Sequence, residues 1–335
     1  MGLFLVATAV VVWHRRLRAK VAWVLLLGAV AFGLFKEVLL VSDLWSLPAL
    51  AGLTDEVALL MAWSFFAVVA RSSGGVVLRG HPLWIAPLTG AILGEWAAAG
   101  ILAAGARSKG GAARMALAAS AGGLIGRLGD PAMMMLGHRD ATLAWRLIPL
   151  AVLLVLVAGP KREDLEAGGR WDVTLVALGT SVATIFFGVW AVLAGSVALI
   201  LCDRAILGAL SWRFPLWTLA SIGLVMCSVA AGGAELAALG LEQVQDLLGT
   251  WAGPALTFGS GLISMLLGGS AGGLVGAAVL DRALMLNVPD ALVCVAAGAA
   301  VGGIGPLVVS GSVRAGWWRL ILQLAVAVVF VWLVV

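Results

Sequence analysis

Long apolar runs follow one another along the whole chain, separated by short polar or glycine-rich stretches. They fall at residues 3–13, 21–41, 55–70, 81–106, 114–137, 143–158, 173–187, 189–202, 214–232, 252–280, 288–312 and 317–335. None alternates strictly over the ten or so residues that a barrel strand needs. In lipid only helices and closed barrels satisfy the backbone, so the pattern predicts helices. Residues 173–202 hold no charged side chain. As one helix they would span about 45 Å, too long for a single crossing of a ~30 Å core and enough for two short ones.

Two runs depart from simple spans. Residues 81–106 carry Gly94 and Glu95 near their centre, and residues 252–280 carry Gly268, Gly269 and Ser270. Each reads as two half-length helices that dip in and return to the same side. Each is followed by a run with its own interruption, the first at Gly126–Pro131, with Gly129 and Pro131, the second at Gly302–Pro306, with Gly305 and Pro306. One ordinary helix follows each of these. The order, three helices, hairpin, broken helix, helix, then occurs twice. With about five crossings per half, the two halves are inverted, an arrangement typical of transporters with broken helices at the midplane. The predicted units are residues 1–158 (hairpin 81–106, broken helix 114–137), a linker at 159–171, and residues 172–335 (hairpin 252–280, broken helix 288–312).

Composition sharpens this into an all-α polytopic membrane protein. Of 335 residues, 62% are hydrophobic and 11% charged, where a soluble domain carries about 25% charged residues; the mean hydropathy is +1.10. The basic residues of the first twenty follow the apolar run, the order of a first membrane helix and not of a cleaved leader. The net charge of +4 does not point to nucleic acid, because Lys and Arg gather on cytoplasmic loops. Placing residues 14–20 inside puts Arg71, Arg79, Arg107, Lys109, Arg114, Lys161, Arg162, Arg170, Arg204, Arg213, Arg314 and Arg319 on that side too. Residues 233–250, with Glu235, Glu242 and Asp246 and no basic residue, fall outside. Arg139 and Arg146 run against the pattern. The setting implied is a bacterial inner membrane, with lipid around the chain.

Candidate chemistry is sparse. Cys202, Cys227 and Cys294 lie far apart in apolar runs, and His14, His81 and His138 lack metal-ligand spacing. No cofactor pattern appears, and "GGSAGGLVG" is no nucleotide loop, since no Lys-Ser/Thr follows it. No Ser-His, HExxH or paired-Asp constellation suggests an enzyme. Three ionisable residues stand inside apolar runs, Glu95, Arg127 and Asp130. A charge at that depth costs a few kcal/mol and faces a cavity or a partner. Arg127 and Asp130, three residues apart, either neutralise one another or line a transport path. Glu95 either binds substrate or proton, or bonds N–H groups freed at the hairpin tip. Ser120, Ser270, Ser310 and Ser312 are weaker candidates, since serines in membrane helices commonly bond their own backbone.

The segment "ASAGGLIGRLGDPAMMMLG" (119–137) resembles the broken helix of the ion transporter superfamily, in its arsenite-permease and NhaD-type sodium/proton antiporter branch. Gly122, Gly123, Gly129, Asp130, Pro131, Met135 and Gly137 match the family pattern in one register. The hairpin "LTGAILGEWAAAGILAAGA" is similar to the family's first hairpin, with Glu95 at its tip, and "AAGAAVGGIGPLVVSGSV" (296–313) to the second broken helix. Ser120, Gly126 and Met133 replace family Asn, Thr and Asn; Ile304 and Pro306 replace Asn and Thr; Gly268-Gly269 replaces an Asp-Asn tip. The resemblance implies a proton-coupled secondary transporter of a small inorganic ion, by sodium/proton antiport or arsenite or oxyanion export, and a homodimer. The lost polar residues favour an alternative, a transport-inactive membrane scaffold that keeps the fold.

Overall fold

The computed structural model describes residues 48–126, 142–166, 168–203, 296, 298–300 and 302–334. They are helical almost throughout, and among them β pairing is limited to two isolated bridges. The helices are α1 (Pro48–Ser72), α2 (Pro82–Leu93), α3 (Glu95–Ala104), α4 (Lys109–Gly126), α5 (Thr142–Ala158), α6 (Trp171–Phe187), α7 (Val189–Cys202), α8 (Ile304–Val309) and α9 (Val313–Val334).

Local signals set these boundaries. Pro82 opens α2, where its missing N–H costs nothing, and Leu83 donates its N–H to Nδ1 of His81 at 3.2 Å. The helix stops at Gly94, whose φ of +82° lies in a region that only glycine enters readily. The chain turns there and restarts with Glu95, an acidic residue at the positive end of α3. The uncharged run 173–202 is split the same way, by Gly188 at φ +54° between α6 and α7. Ser108 precedes α4 and accepts the N–H of Gly111 at 3.0 Å, so this helix begins five residues earlier than its apolar run.

Helices α2 and α3 form a hairpin that leaves from and returns to one segment. Gly75 abuts the carbonyl of Ala104, and Gly105 packs on Val76 and Leu78, only a few residues before α2 starts. With 12 and 10 residues, the two arms are about 18 Å and 15 Å long.

The hairpin lies against α4 through small residues. A Cβ on Gly90 would fall 1.9 Å from the carbonyl oxygen of Ala119, on Gly122 2.0 Å from that of Pro87, and on Gly126 2.2 Å from that of Ala91. Backbones touch here because no side chain intervenes. Two apolar clusters flank this unit. One joins α2, α4, α5 and α9 through Leu117, Leu147, Leu150, Leu154 and Leu320. The other joins α1, α3, α6, α7 and α8 through Trp63, Phe66, Ile101, Val192 and Val308.

The stretch between α5 and α6, read as a linker, is folded onto the body. A 3-10 turn at Arg162–Asp164 carries Asp164, 1% exposed, which receives a two-pronged hydrogen bond from the Arg114 guanidinium and another from the Lys161 N–H at 2.7 Å. Arg107 donates its N–H to the Asp164 carbonyl, Glu166 to that of Gly105, and Arg170 to that of Gly75. Arg319, on α9, donates to the carbonyls of Val157 and Ala158 at the end of α5. Arg79 lies 5.7 Å over the ring of Trp171. Residues 73–80, 105–108, 159–170 and the start of α9 thus meet at one end of the bundle, and its charges concentrate there.

Gly305 and Pro306 are buried within the first turn of α8, where a proline nitrogen needs no acceptor, and a turn at Gly302 and Gly303 precedes them. The chain bends again after α8, where Gly311 takes φ +62°. Among the described residues, α9 is the one helix long and apolar enough to cross a membrane by length and composition; many of the other predicted spans lie outside the described residues. Glycine turns at Gly94 and Gly188 leave the neighbouring apolar helices at 10 to 17 residues.

Candidate functional site

Glu95 is the centre of the polar chemistry inside the bundle. Gly94 ends α2 and places Glu95 first in α3, pointing toward α4. The residue is 6% exposed. Ser120 of α4, 1% exposed, donates its hydroxyl to Glu95 Oε2 at 3.2 Å. Room for the carboxyl comes from Gly123, one turn further along α4, where a Cβ would stand 2.4 Å from Glu95 Cγ. The two residues are 25 positions apart in sequence and meet only because the hairpin lies on α4.

A cavity of about 180 Å³ opens beside this pair. Leu59 and Trp63 of α1, Leu93 to Ala97 at the hairpin tip, and Ser181, Thr184 and Ile185 of α6 line it. Ile185, 77% exposed, forms its rim. At about 1.5 Å per helical residue from the charged end, Glu95, Ser120, Ser181 and Thr184 all lie about 15–20 Å deep. Of the lining residues, Glu95 alone has an ionisable side chain.

The two lining hydroxyls are acceptors. Ser181 donates its proton to the Ala177 carbonyl at 2.9 Å, and Thr184 to that of Thr180 at 2.7 Å. A hydroxyl has one proton and two lone pairs, so what each can still offer is oxygen. Carboxylate and hydroxyl oxygens together suit a ligand that donates protons or carries positive charge.

Of the residues singled out from the sequence, the structure joins Glu95 to Ser120 at the turn made by Gly94. It does not bring Ser310 to them. Ser310 ends α8, donates to the Leu307 carbonyl at 3.1 Å and lies 2.5 Å from the Ser312 hydroxyl. Arg127, Gly129, Asp130, Pro131, Gly269 and Ser270 lie outside the described residues. Sequence reading missed Ser181 and Thr184. Their signal was present: Thr174, Ala177, Ser181 and Thr184 recur at three- and four-residue spacing in an otherwise apolar helix, a stripe of small and polar residues facing inward. The part of Trp63 and Trp96 in the lining had no such signal.

No protein-family model, curated protein or solved structure matches this chain.

Proposed function

We propose that this protein is a membrane-embedded secondary transporter that exchanges a small cation for protons by alternating access, with Glu95 as the group that binds both. The observation that carries this reading is a buried carboxyl group at the tip of two half-length helices, hydrogen-bonded by Ser120 and bordering a half-open cavity between α1, the hairpin tip and α6.

Three features support a lipid setting. Large apolar side chains are exposed along α2, α5, α6, α7 and α9, among them Leu88, Leu156, Leu175, Val197 and Leu322, and contiguous exposed apolar surface marks a site of protein or membrane contact. Exposed tryptophans cluster at two levels, Trp84, Trp171, Trp317 and Trp318 toward the charged end, and Trp145, Trp190 and Trp332 toward the other. Trp317 and Trp332 are separated by about 22 Å along α9, a spacing that suits aromatic belts at the two interfaces of a membrane. Basic residues concentrate at the end that the sequence places in the cytoplasm.

The contacts between halves support the transporter reading. The cavity is lined by the hairpin and α1 from residues 1–158 and by α6 from residues 172–335. Gly305 of α8 packs on the Trp96 ring, and Gly303 on Leu117. Transporter sites lie at such junctions between repeats. In the cycle, proton and cation compete for the Glu95 oxygens. Ionised, the carboxylate accepts from Ser120 and pairs with the cation; protonated, it becomes a donor and releases the cation. Rocking of one half against the other would expose the cavity to each side in turn.

The test is ion-driven dissipation of a pH gradient in proteoliposomes of purified full-length protein. Replacing a charged hydrogen-bonding partner weakens binding about tenfold to 100-fold, so Glu95→Gln should lose most of the flux while keeping wild-type helicity and elution volume. A well-folded Glu95→Gln that transports at the wild-type rate would overturn the assignment. Absence of flux from the wild-type protein with every cation tried would favour the transport-inactive scaffold.

A further inference from the structure

We infer that Arg319, near the start of α9, holds the phosphate of an anionic membrane phospholipid whose acyl chain runs down the exposed flank of the same helix. The inference rests on the reading of the bundle as embedded in lipid and is independent of what the protein transports.

The donors come first. Arg319 Nη1 donates to the carbonyls of Val157 at 3.2 Å and Ala158 at 3.0 Å, two of those that the end of a helix leaves without an intrahelical partner. The chain leaves α5 at Gly159, φ +59°, where a Cβ would stand 3.3 Å from Nη1. These bonds orient the guanidinium and use one of its three nitrogens. Among the described residues Nε and Nη2 have no protein acceptor, and neither is closed off from the surface. Their adjacent N–H groups form the fork that matches two oxygens of a phosphate.

Charge selects the headgroup. Residues 107–114, 159–166 and 314–319 meet at this end of the bundle. They hold seven Lys or Arg and three Asp or Glu. One of the three, Asp164, is buried against Arg114, and another, Glu163, lies 3.6 Å from Lys161 Nζ. Among the described residues no carboxylate pairs with Arg319, Arg162 or Arg314. Such an excess attracts anionic lipid, with each basic residue near the surface adding to the attraction. A zwitterionic headgroup would bring its own ammonium into the same cations.

The flank below Arg319 supplies the apolar half of the site. Leu322, Val326 and Val329 follow it at three- and four-residue spacing, which keeps them on one face. Leu322 is 52% exposed and Val329 55%. Val329 lies about 15 Å beyond Arg319 along the helix, half of a ~30 Å hydrocarbon core and so the depth of one leaflet. Trp318, next to Arg319 and exposed, suits the headgroup level. A soluble phosphate would use the fork and gain nothing from this flank.

The test uses full-length protein in detergent, titrated with dioleoylphosphatidylglycerol or dioleoylphosphatidylcholine and followed by native mass spectrometry. Phosphatidylglycerol should be retained about tenfold more tightly than phosphatidylcholine, and excess glycerol 3-phosphate should not displace it. Arg319→Lys keeps the charge and a donor for the α5 carbonyls but lacks the fork. It should weaken phosphatidylglycerol binding about tenfold with an unchanged melting temperature in the absence of lipid. Arg162→Gln should weaken it about fivefold. Equal retention of the two lipids by the wild type, or wild-type affinity in Arg319→Lys, would overturn the inference. If Arg319→Lys melts lower without lipid, Arg162→Gln decides, and wild-type affinity there overturns it. Displacement by glycerol 3-phosphate would assign the fork to a soluble phosphate instead. Protein that is recovered with the membrane fraction but shows no lipid preference would reject this site and leave the lipid setting standing; recovery in the soluble fraction would reject both.

Discussion

Asp164 shows how one residue ties a connecting stretch to the bundle. Burial by itself would raise its carboxyl, but the Arg114 guanidinium and the Lys161 N–H outweigh burial and hold it below the ordinary carboxylate value. A carboxylate with a depressed folded-state value contributes stability above its unfolded value of about 3.9. That contribution is lost as pH falls through the lower folded value. Arg114 stays charged throughout. Asp164→Asn keeps the shape and removes the charge, leaving the guanidinium without its counter-ion. The expected loss is about 2–3 kcal/mol, at the low end for a buried pair because Arg114 retains some solvent. Thermal unfolding in detergent from pH 7 to pH 3 checks it: the gap between wild type and variant should be widest near neutrality and narrow progressively as pH falls below about 4. Identical melting at pH 7 would show that the pair adds nothing.

At the scale of elements, glycines decide how near the hairpin comes to α4. Gly90 and Gly179 are both helical glycines, and helix propensity alone predicts that alanine stabilises either by about 1 kcal/mol. Their surroundings differ. At Gly179 nothing stands within 4 Å of an added Cβ, whereas at Gly90 it would meet the Ala119 backbone at 1.9 Å. Gly179→Ala is therefore expected to raise the melting temperature slightly. Gly90→Ala is expected to lower stability by about 3 kcal/mol, the upper end for overpacking, because backbone and not a flexible side chain must yield. Since Gly90 sits one turn before Gly94, the same change should shift Glu95 away from Ser120 and reduce flux. Equal melting of the two variants would refute this account of the α2–α4 contact.

At the scale of the whole molecule, the concentration of charge at one end makes a claim about orientation. Lys161 lies in the folded stretch between α5 and α6 with a largely exposed side chain. In a background with Cys202, Cys227 and Cys294 replaced by serine, Lys161→Cys should react with a membrane-impermeant maleimide in everted vesicles and not in intact cells. Labelling in intact cells would invert the topology. Failure to recover the protein with the membrane fraction would reject the lipid setting itself.

The sequence by itself determined the helical elements, the turns at Gly94 and Gly188, and the gathering of basic residues into a few short segments. These follow from local rules: apolar composition over ten or more residues, and the backbone freedom of glycine. Only the tertiary structure decided which polar groups meet. Ser120 and Ser310 look alike as serines in apolar helices, yet one bonds Glu95 and the other bonds the end of its own helix. Ser181 and Thr184 join Glu95 across 86 or more positions, and Asp164 finds Arg114 across 50. No periodicity encodes such meetings, because they depend on how closely and at what angle helices cross. That in turn is set by contacts such as Gly90 on Ala119 and Gly122 on Pro87, where the absence of a side chain matters only once a neighbour is in place.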